Sequence, residues 1–299
     1  MRILVTGASG QLGGYLLREL RRRDRSVVAW SGSLTGNLFG YPLRQVDLAD
    51  KDAVAAAFHE ARPDAILHAG ALASVGECYK DAERARKVNT LSSATLAELA
   101  AEAAIRLVFV STDLVFDGRR GSYREEDAAS PLSTYGRTKA AAEQAVLAYA
   151  GAAVVRVPLL FGPSLVGRPT FFDQQTAALR EGRPIALFHD EWRTPLDYRT
   201  TALALLALLE TDFVGMLHVG GPERLSRLEM GQRLARFFRC DPSVVVAVAR
   251  DSTPAAEPRP CDTSLDSSRW RRFHPLQPWP CWDEAVRDLF ALANSEGVP

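Results

Sequence analysis

A tyrosine and a lysine four residues apart, Tyr135 and Lys139 in the segment STYGRTK, are the pair in this sequence with the clearest chemical use. Residues at i and i+4 share one face of a helix, so the two side chains can reach the same small volume. A phenol ordinarily holds its proton to about pH 10. Because a nearby ammonium group stabilises the phenolate and lowers the pKa of the phenol, the pair predicts a general acid or base.

Lysine is rare in the chain, which makes this spacing more informative. Of 36 basic residues only those at positions 51, 80, 87 and 139 are lysines, and the others are arginines. The alternative interpretation is a surface tyrosine beside an exposed lysine. The elements around the pair have to decide between these interpretations.

Composition excludes several classes of protein. The 299 residues carry a formal charge of zero, so no overall electrostatic attraction favours nucleic acid or a membrane as partner. The four cysteines are widely scattered without ligand spacing, which argues against a metal site or a disulfide framework. The opening residues MRILVTG already read as a buried strand rather than a signal peptide, and no apolar run reaches the roughly 18 residues of a membrane span. We expect a cytoplasmic protein.

A glycine-rich turn opens the chain. The strand Ile3–Thr6 runs into Gly7, Gly10 and Gly13, and a helix with leucines at helical spacing follows. Strand, glycine turn and helix is the arrangement that directs the free amides of a helix N-terminus at a phosphate. The spacing is GxxGxxG rather than GxGxxG, and its position predicts nucleotide binding.

The end of the second strand bears on which dinucleotide is bound. After the strand Ser26–Trp30 the chain continues with Ser31, Gly32 and Ser33, where a site selective for NAD usually has an acidic residue. Nothing there would repel a 2′-phosphate, and the two serines could donate to one. The sequence therefore favours NADP(H), with NAD(H) as the alternative.

Small and polar residues follow the next strands of the pattern. Strands are expected at 44–46, 65–68, 107–111 and 154–157, followed respectively by Asp47 and Leu48, by the small residues of AGALA, by Thr112, and by Pro158. The carboxyl ends of parallel strands are where open α/β sheets place ligand contacts. Asp47 has an alternative role in a turn or helix cap, and His68 reads as a strand-end residue rather than a catalyst.

A helix expected over residues 81–103 contains Asn89 within an apolar rhythm. The amide is either satisfied in the core, or it bends the helix and holds a water near the site. Periodicity does not choose between these.

The alternation of strands and helices predicts an α/β fold, a Rossmann-type doubly wound parallel sheet with right-handed crossovers. We expect residues 1–160 to form the NAD(P)-binding domain, with 195–219 rejoining it. Residues 161–299 are expected to form a smaller, interrupted α/β substrate-binding domain. There the pattern predicts helices at 172–180, 200–209 and 228–238, strands at 216–219 and 244–248, and proline-rich loops.

Taken together, the motifs GASGQLG, HAGAL, STDLVFDG and YGRTK resemble the extended short-chain dehydrogenase/reductases. Within them the chain looks most like the dTDP-4-dehydrorhamnose reductase group, since REED, RVPLLFG, RTPLDY and RPCDTSLD also have counterparts there. The resemblance implies an NADP(H)-preferring reductase of a 4-keto-6-deoxy nucleotide sugar, with NAD(H) possible, and a homodimer is conceivable.

The resemblance also implies roles for individual residues. Tyr135 would protonate the substrate oxygen, Lys139 would lower the pKa of the phenol and hold the nicotinamide ribose, and Thr112 would position the carbonyl. It also favours a functional role for Asn89. The cofactor would be held by Gly7, Gly10, Gln11, Leu12, Gly13, Ser31, Asp47, Leu48, Ala69, Gly70, Ala71, Tyr135 and Lys139, and no metal is expected.

Departures from the group's pattern leave the substrate open. Leu114 stands where these reductases usually carry a tyrosine beside the catalytic threonine. We expect substrate contacts from Thr112, Leu114, Phe171, Phe172, Arg193 and Arg259, each with a structural role as the alternative. The two arginines are included because a guanidinium can bind a diphosphate with two hydrogen bonds.

Two other functions compete with the reductase. SYREED, PLSTYGRTK and AAVVRVPLLFGP are also similar to the regulatory β subunit of methionine adenosyltransferase, which acts through a partner. An epimerase or dehydratase is disfavoured, because dehydratases usually place Asp–Glu after the threonine, whereas Asp113–Leu114 follows here.

Overall fold

The computed structural model describes the backbone of residues 1–296 and the side chains of residues 1–291. Residues 297–299, the end of the expected substrate-binding region, lie outside the described residues. Fourteen strands are present among those described: β1 Arg2–Thr6, β2 Ser26–Ser31, β3 Asn37–Leu38, β4 Tyr41–Gln45, β5 Ala65–His68, β6 Arg106–Thr112, β7 Ala152–Val157, β8 Leu160–Phe161, β9 Ile185–Phe188, β10 Trp192–Arg193, β11 Leu196–Asp197, β12 Gly215–His218, β13 Leu225–Ser226 and β14 Val245–Val248.

Eleven α-helices connect and cover these strands in the described part of the chain. They are α1 Gln11–Arg22, α2 Lys51–Ala61, α3 Val75–Lys80, α4 Ala82–Ala85, α5 Ser92–Glu102, α6 Thr134–Leu147, α7 Phe171–Arg180, α8 Tyr198–Leu209, α9 Arg227–Phe237, α10 Ser268–Phe273 and α11 Trp282–Glu296. A π-helical segment, Arg86–Leu91, joins α4 to α5, and short 3-10 turns occupy Asp113–Val115, Pro242–Val244 and Arg250–Ser252.

An eight-stranded sheet organises the molecule, in the order β12-β7-β6-β5-β1-β2-β4-β3. Every pairing is parallel except that of β3, which turns back antiparallel onto β4. The strands β5 and β7 are buried along their whole length, as expected for strands covered on both faces. The predicted doubly wound α/β fold is confirmed.

Two apolar cores cover the two faces of the sheet. One packs α1 and α8 onto it through Leu16, Leu20 and Leu205 among others, and the other packs α2, α5 and α6 through Phe58, Leu96 and Val146 among others. A third core lies between α7, α9 and α11. The β1–α1 turn and the first turn of α6 are thereby held beside the carboxyl ends of the central strands.

Several predicted elements need correction. The helix predicted over 81–103 is divided into α4, the π-helical segment and α5. The last region holds two helices that were not predicted, α10 and α11, and α11 shows an apolar face with Trp282, Ala285, Val286 and Leu289 at helical spacing. Pro278 and Pro280 lie shortly before α11, and for this reason a loop was predicted here. Proline is nevertheless tolerated at the start of a helix.

Candidate active site

The glycine turn packs directly on the end of a neighbouring strand. Gly7 has a φ of 67°, and a Cβ atom at this position would lie 2.7 Å from the Cα atom of Gly70. A Cβ atom at Gly13 would lie 2.1 Å from the carbonyl oxygen of Gly7. Only glycine fits this close approach, which brings the start of α1 to the edge of the sheet.

The N-terminus of α1 is open to an anion. Its N-cap is Gly10, no side chain caps its first amides, and its first turn has no acidic residue. By contrast, Ser133 caps α6, Thr170 caps α7 and Asp197 caps α8. Uncapped amides at the positive end of a helix dipole suit a phosphate group.

A cleft of about 710 Å³ extends from this turn along the ends of β2, β4 and β5. All the cofactor candidates apart from Tyr135 and Lys139 line it: Gly7, Gly10, Gln11, Leu12, Gly13, Ser31, Asp47, Leu48, Ala69, Gly70 and Ala71. Arg84, Arg168 and Tyr198 also line it and were missed by sequence reasoning, because they come from distant segments. The size, the glycines and the free helix N-terminus fit a dinucleotide.

We predicted that the Ser31 hydroxyl could donate to a 2′-phosphate in the cleft, but in the structure this hydroxyl is engaged within the protein. Its Oγ accepts from the backbone N–H of Leu34 at 2.8 Å and shares a hydrogen bond of 3.0 Å with the hydroxyl of Ser9. The side chain therefore holds the loop after β2, and the exposed Ser33 is the second serine that lines the cleft. The carboxylate of Asp47 forms an ion pair with Arg84 at 3.5 Å.

Two neighbouring strand and helix ends hold the catalytic candidates. Thr112 ends β6, and its Oγ1 accepts from the backbone N–H of Leu114 at 3.2 Å. Ser133 caps α6 by accepting from the backbone N–H of Gly136 at 3.1 Å. Tyr135 and Lys139 then lie one turn apart on this helix, and the Thr112 hydroxyl donates to the Asp113 carboxylate at 3.2 Å. Thr112 is close enough to the Tyr135 phenol to exert a small lowering effect on its pKa.

The direction of the Tyr135 pKa differs from the prediction. Burial of the phenol, with smaller contributions from Asp113 and Cys78, raises its pKa above the ordinary value of 10. Desolvation disfavours the charged phenolate. Its raising effect on the pKa is larger than the lowering effect of Thr112. The prediction that Lys139 lowers the pKa is wrong for this arrangement, and Tyr135 is a phenol that keeps its proton.

Lys139 points at the sheet rather than at the phenol. It is 2 % exposed, its Nζ donates to the carbonyl oxygen of Val110 at 2.8 Å, and the ammonium lies 3.9 Å from the ring centroid of Phe109. Burial lowers its pKa from 10.5 to about 7, although Glu143 opposes the shift. Lys139 is therefore poised to change charge near neutral pH.

Asn89 is a satisfied core amide in the π-helical segment. Its Oδ1 accepts from the backbone N–H of Leu72 at 2.8 Å, and its Nδ2 donates to the Leu72 carbonyl oxygen at 3.1 Å and to Thr138 Oγ1 at 3.0 Å. The Thr138 hydroxyl in turn donates to the carbonyl oxygen of Tyr135 at 2.8 Å. Asn89 thus positions α6 against the loop after β5, and its functional role stays a prediction.

His68 is a structural residue, as expected. It is fully buried between the hydroxyls of Thr6, at 2.6 Å, and Ser93, at 2.9 Å. Burial, with a smaller contribution from Lys139, lowers its pKa to about 3, so the imidazole is neutral.

A second cavity of about 350 Å³ lies on the other side of the first turn of α6. It is lined by Val75, Gly76, Tyr79, Leu114, Ser133, Glu191, Arg193, Ala255, Ala256, Glu257, Pro258, Arg259 and Pro260. Leu114, Arg193 and Arg259 were predicted as substrate contacts. Neither Thr112 nor Tyr135 lines this cavity or the larger cleft.

The two arginines of this cavity differ in how they are held. Arg193 is buried and ion-paired with Asp113 at 3.4 Å and Glu191 at 3.2 Å, so its charge is largely committed within the protein. The guanidinium of Arg259 lies 4.8 Å from the ring centroid of Phe188 and is half-buried. Arg259 is the better placed of the two to meet an anionic group of a ligand.

The predicted contacts from Phe171 and Phe172 are corrected. Phe172 is 1 % exposed and packs against Phe161 and Trp282 in the third core. Phe171 packs beneath the guanidinium of Arg227, at 4.5 Å from its ring centroid. Neither lines the second cavity: Phe172 is buried, and the half-buried Phe171 packs against Arg227.

Comparison with known proteins gives consistent results. The model of the family described as RmlD substrate binding domain matches residues 1–294. The probable low-salt glycan biosynthesis reductase Agl14 of Haloferax volcanii is 31 % identical over 268 residues, which cover 87 % of this chain and 88 % of that protein. The methionine adenosyltransferase 2 subunit beta of Danio rerio is 30 % identical over 275 residues, covering 90 % and 83 %.

A solved structure shares the fold. The crystal structure of dTDP-4-dehydrorhamnose reductase from Bacillus anthracis in complex with NADP superposes with a TM-score of 0.84 at 24 % identity, covering 97 % of this chain and 98 % of that one. At this identity the match concerns the fold alone.

Proposed function

The chain belongs to the RmlD substrate binding domain family, within the extended short-chain dehydrogenase/reductases, and is an NAD(P)H-dependent oxidoreductase; from this premise we propose that it reduces the keto group of a 4-keto-6-deoxy nucleotide sugar, preferring NADPH. The observation that carries the proposal is a cleft of dinucleotide size at the uncapped N-terminus of α1, together with Thr112 at the end of β6 and Tyr135 and Lys139 at the start of the neighbouring helix α6.

Tyr135 acts as the proton donor in this proposal. When bound, the reduced nicotinamide supplies the hydride, and the carbonyl oxygen of the substrate gains negative charge as it arrives. The raised pKa keeps Tyr135 protonated at neutral pH, so the phenol holds the proton that this oxygen needs. Thr112 donates a second hydrogen bond to the same oxygen, and donors already in place lower the barrier.

Lys139 responds to the bound cofactor. With its pKa lowered to about 7, a modest electrostatic change from a ribose hydroxyl or a nearby phosphate suffices to fix its charge. The charged form then orients the ribose and stabilises Tyr135 after proton transfer. This role needs the Nζ atom to exchange its bond to the Val110 carbonyl oxygen for one to the cofactor.

Cofactor preference rests on the far end of the cleft. No carboxylate directly follows β2, Ser33 is exposed there, and Arg84 lines the cleft while paired with Asp47. A 2′-phosphate that meets the Ser33 hydroxyl would compete with Asp47 for the Arg84 guanidinium, which supports NADPH over NADH.

The substrate would occupy the second cavity. In this proposal residues 1–160 hold the dinucleotide, and the region from 161 onward contributes Glu191, Arg193 and the loop 255–260 to the sugar nucleotide. Arg259 would meet the diphosphate.

A direct assay tests the proposal. Purified protein is mixed with dTDP-4-keto-6-deoxyglucose and either NADPH or NADH, and absorbance at the nicotinamide band is followed. We expect oxidation of NADPH that depends on the sugar and a higher KM for NADH. Protein that binds NADPH but oxidises it with no 4-keto sugar nucleotide would contradict the proposal.

A second candidate function is a nucleotide-binding regulatory subunit of a methionine adenosyltransferase. It is favoured by the similarity to the Danio rerio subunit over 90 % of the chain. A retained catalytic set does not separate the two functions, so the test is association. Co-elution with the methionine adenosyltransferase of the same organism, together with a change in that enzyme's activity, would support it.

A further inference from the structure

Glu257 contributes a carboxylate to the first turn of the helix that carries Tyr135. Its Oε1 accepts three hydrogen bonds: from the backbone N–H of Thr134 at 2.7 Å, from the Thr134 hydroxyl at 2.8 Å and from Arg137 Nη2 at 3.1 Å. The residue comes from the proline-rich loop that forms one wall of the second cavity. One oxygen thus ties this loop to α6.

The other oxygen of the same carboxylate is unused within the protein. Glu257 Oε2 is buried and has no hydrogen-bond partner among the described residues, and the side chain as a whole is only 6 % exposed. A buried charged acceptor without a donor costs free energy. Because Glu257 lines the cavity, a rotation of its carboxylate would bring the buried Oε2 to the cavity wall, where a ligand can provide the missing donor.

The position of Glu257 relates this acceptor to the reacting carbon. Its carboxylate bonds to Thr134, the residue before Tyr135, and shares the cavity with Ser133 and Leu114. A donor that reaches Oε2 therefore lies near the residue that precedes Tyr135, and the proposed function places the reacting carbonyl beside that tyrosine. In a 4-keto-6-deoxy sugar the carbon on one side of the carbonyl carries only ring oxygen and methyl substituents, so the adjacent hydroxyl is the one at C3.

We propose that Glu257 is a specificity-determining residue that accepts a hydrogen bond from the sugar hydroxyl next to the keto carbon. This inference rests on the proposed function, since it assumes a 4-keto sugar nucleotide in the second cavity. A site built to bond a hydroxyl rejects the analogue that lacks it, because the buried acceptor is then left unpaired.

Glu257→Gln separates this role from the capping role. Three donors converge on Oε1, so the amide oxygen of the glutamine takes that position and its NH₂ group takes the position of Oε2. The bonds to α6 are retained, while the acceptor in the cavity becomes a donor. Glu181→Gln, an exposed glutamate that pairs with Arg183 at the end of α7, is the matched control.

The experiment compares wild type, E257Q and E181Q with dTDP-4-keto-6-deoxyglucose and with its 3-deoxy analogue. For the hydroxylated sugar we expect kcat/KM of E257Q to fall by about 10- to 100-fold, the usual effect of a hydrogen bond to a charged group. The KM for NADPH and the unfolding midpoint should stay at wild-type values. Wild type should discriminate against the 3-deoxy sugar by a similar factor, and E257Q should not.

The possible failures are distinguishable. If wild type turns over the sugar while E257Q matches it in kcat/KM and in discrimination, the specificity role is wrong and the proposed function stands. A lower unfolding midpoint of E257Q with unchanged discrimination would show a capping role alone. If wild type turns over no 4-keto sugar nucleotide, the proposed function fails, and the identification of the donor fails with it.

Discussion

Helix α6 carries two buried charged side chains one turn apart, Lys139 and Glu143, and they are held in opposite ways. Glu143 is fully buried and makes a two-pronged ion pair with Arg156, with N–O distances of 2.9 and 2.7 Å. The Ser111 hydroxyl also donates to it, and His218 Nε2 lies 3.3 Å from Arg156 Nη1. Lys139 has no carboxylate within ion-pairing distance among the described residues, only a backbone carbonyl oxygen and an aromatic face.

The two side chains show that burial of a charge can have different consequences along one face of a helix. A buried charge is tolerated when its partners satisfy it, and Glu143 meets that condition. Lys139 does not, and its pKa is lowered to about 7 because burial disfavours the charged ammonium. A buried titratable group without a charged partner and with a shifted pKa is a candidate functional residue. We therefore expect Glu143 to matter for stability and Lys139 for activity.

Replacement of Lys139 by methionine tests the functional side of the comparison. In Lys139→Met a side chain of similar length removes the charge, and we expect kcat/KM to fall by about 100- to 10,000-fold, the range for loss of acid–base machinery. The unfolding midpoint at pH 7 should not fall, because a costly buried ammonium is gone. NADPH oxidation and thermal unfolding measure the two effects.

Lys87→Met, at an exposed lysine of the π-helical segment, is the control and should behave like wild type. A K139M protein that loses stability but keeps its turnover would reverse the comparison.

Replacement of Glu143 by glutamine tests the structural side. Glu143→Gln leaves the guanidinium of Arg156 buried without its carboxylate partner, and breaking a buried ion pair in this way costs about 3–5 kcal/mol. Unfolding in urea should show the loss. Glu98→Gln, in the exposed pair with Lys51 at 3.4 Å, should change the free energy of unfolding by less than about 1 kcal/mol. Equal effects of the two substitutions would contradict the assignment.

The sequence predicts the parts of this site that depend on local spacing. The placement of Tyr135 and Lys139 one turn apart on a helix is predicted by their spacing of four residues. The glycine turn is predicted by the strand and the helix that directly flank it. Both lie where predicted, and the fold class is confirmed with them. Local patterns of this kind need no knowledge of distant contacts.

The rest depends on contacts between distant segments. Periodicity shows Tyr135 and Lys139 on one face but not that Nζ bonds to Val110 on the neighbouring strand, so the sign of the Tyr135 pKa shift was wrong. Glu257 lies 123 residues after Thr134, in a loop that reads as irregular. Nothing in its local sequence indicates that it would join the first turn of that helix.

The pH dependence of stability sharpens the comparison, with a smaller effect than either substitution. The pKa of Lys139 is lowered from 10.5 to about 7 in the folded protein. Between these values the unfolded chain holds a proton that the folded chain has released, so the stability contribution of Lys139 rises with pH across this window. Below about pH 7 both states carry the charge and its full cost is present.

We therefore expect wild type to gain stability relative to K139M as the pH rises from about 6 to about 9.5, a range that stays below the ordinary tyrosine pKa of about 10. Urea unfolding of both proteins at each pH gives the difference. A difference that does not change with pH would show that Lys139 titrates at its ordinary value and that its burial has no electrostatic cost.

The smallest effect concerns the helix end that holds both residues in place. Ser133→Ala removes the side-chain cap of α6, a loss of about 0.5–2 kcal/mol in the free energy of unfolding. Because Glu257 still accepts from the Thr134 N–H at 2.7 Å, the first turn keeps one of its two acceptors and kcat/KM should remain near the wild-type value. Ser226→Ala, which uncaps α9, is the matched control for stability. If S133A instead loses activity on the scale of K139M, the cap determines where Tyr135 and Lys139 lie. The assignment of Lys139 to activity and Glu143 to stability would then be incomplete, because the start of α6 would affect both.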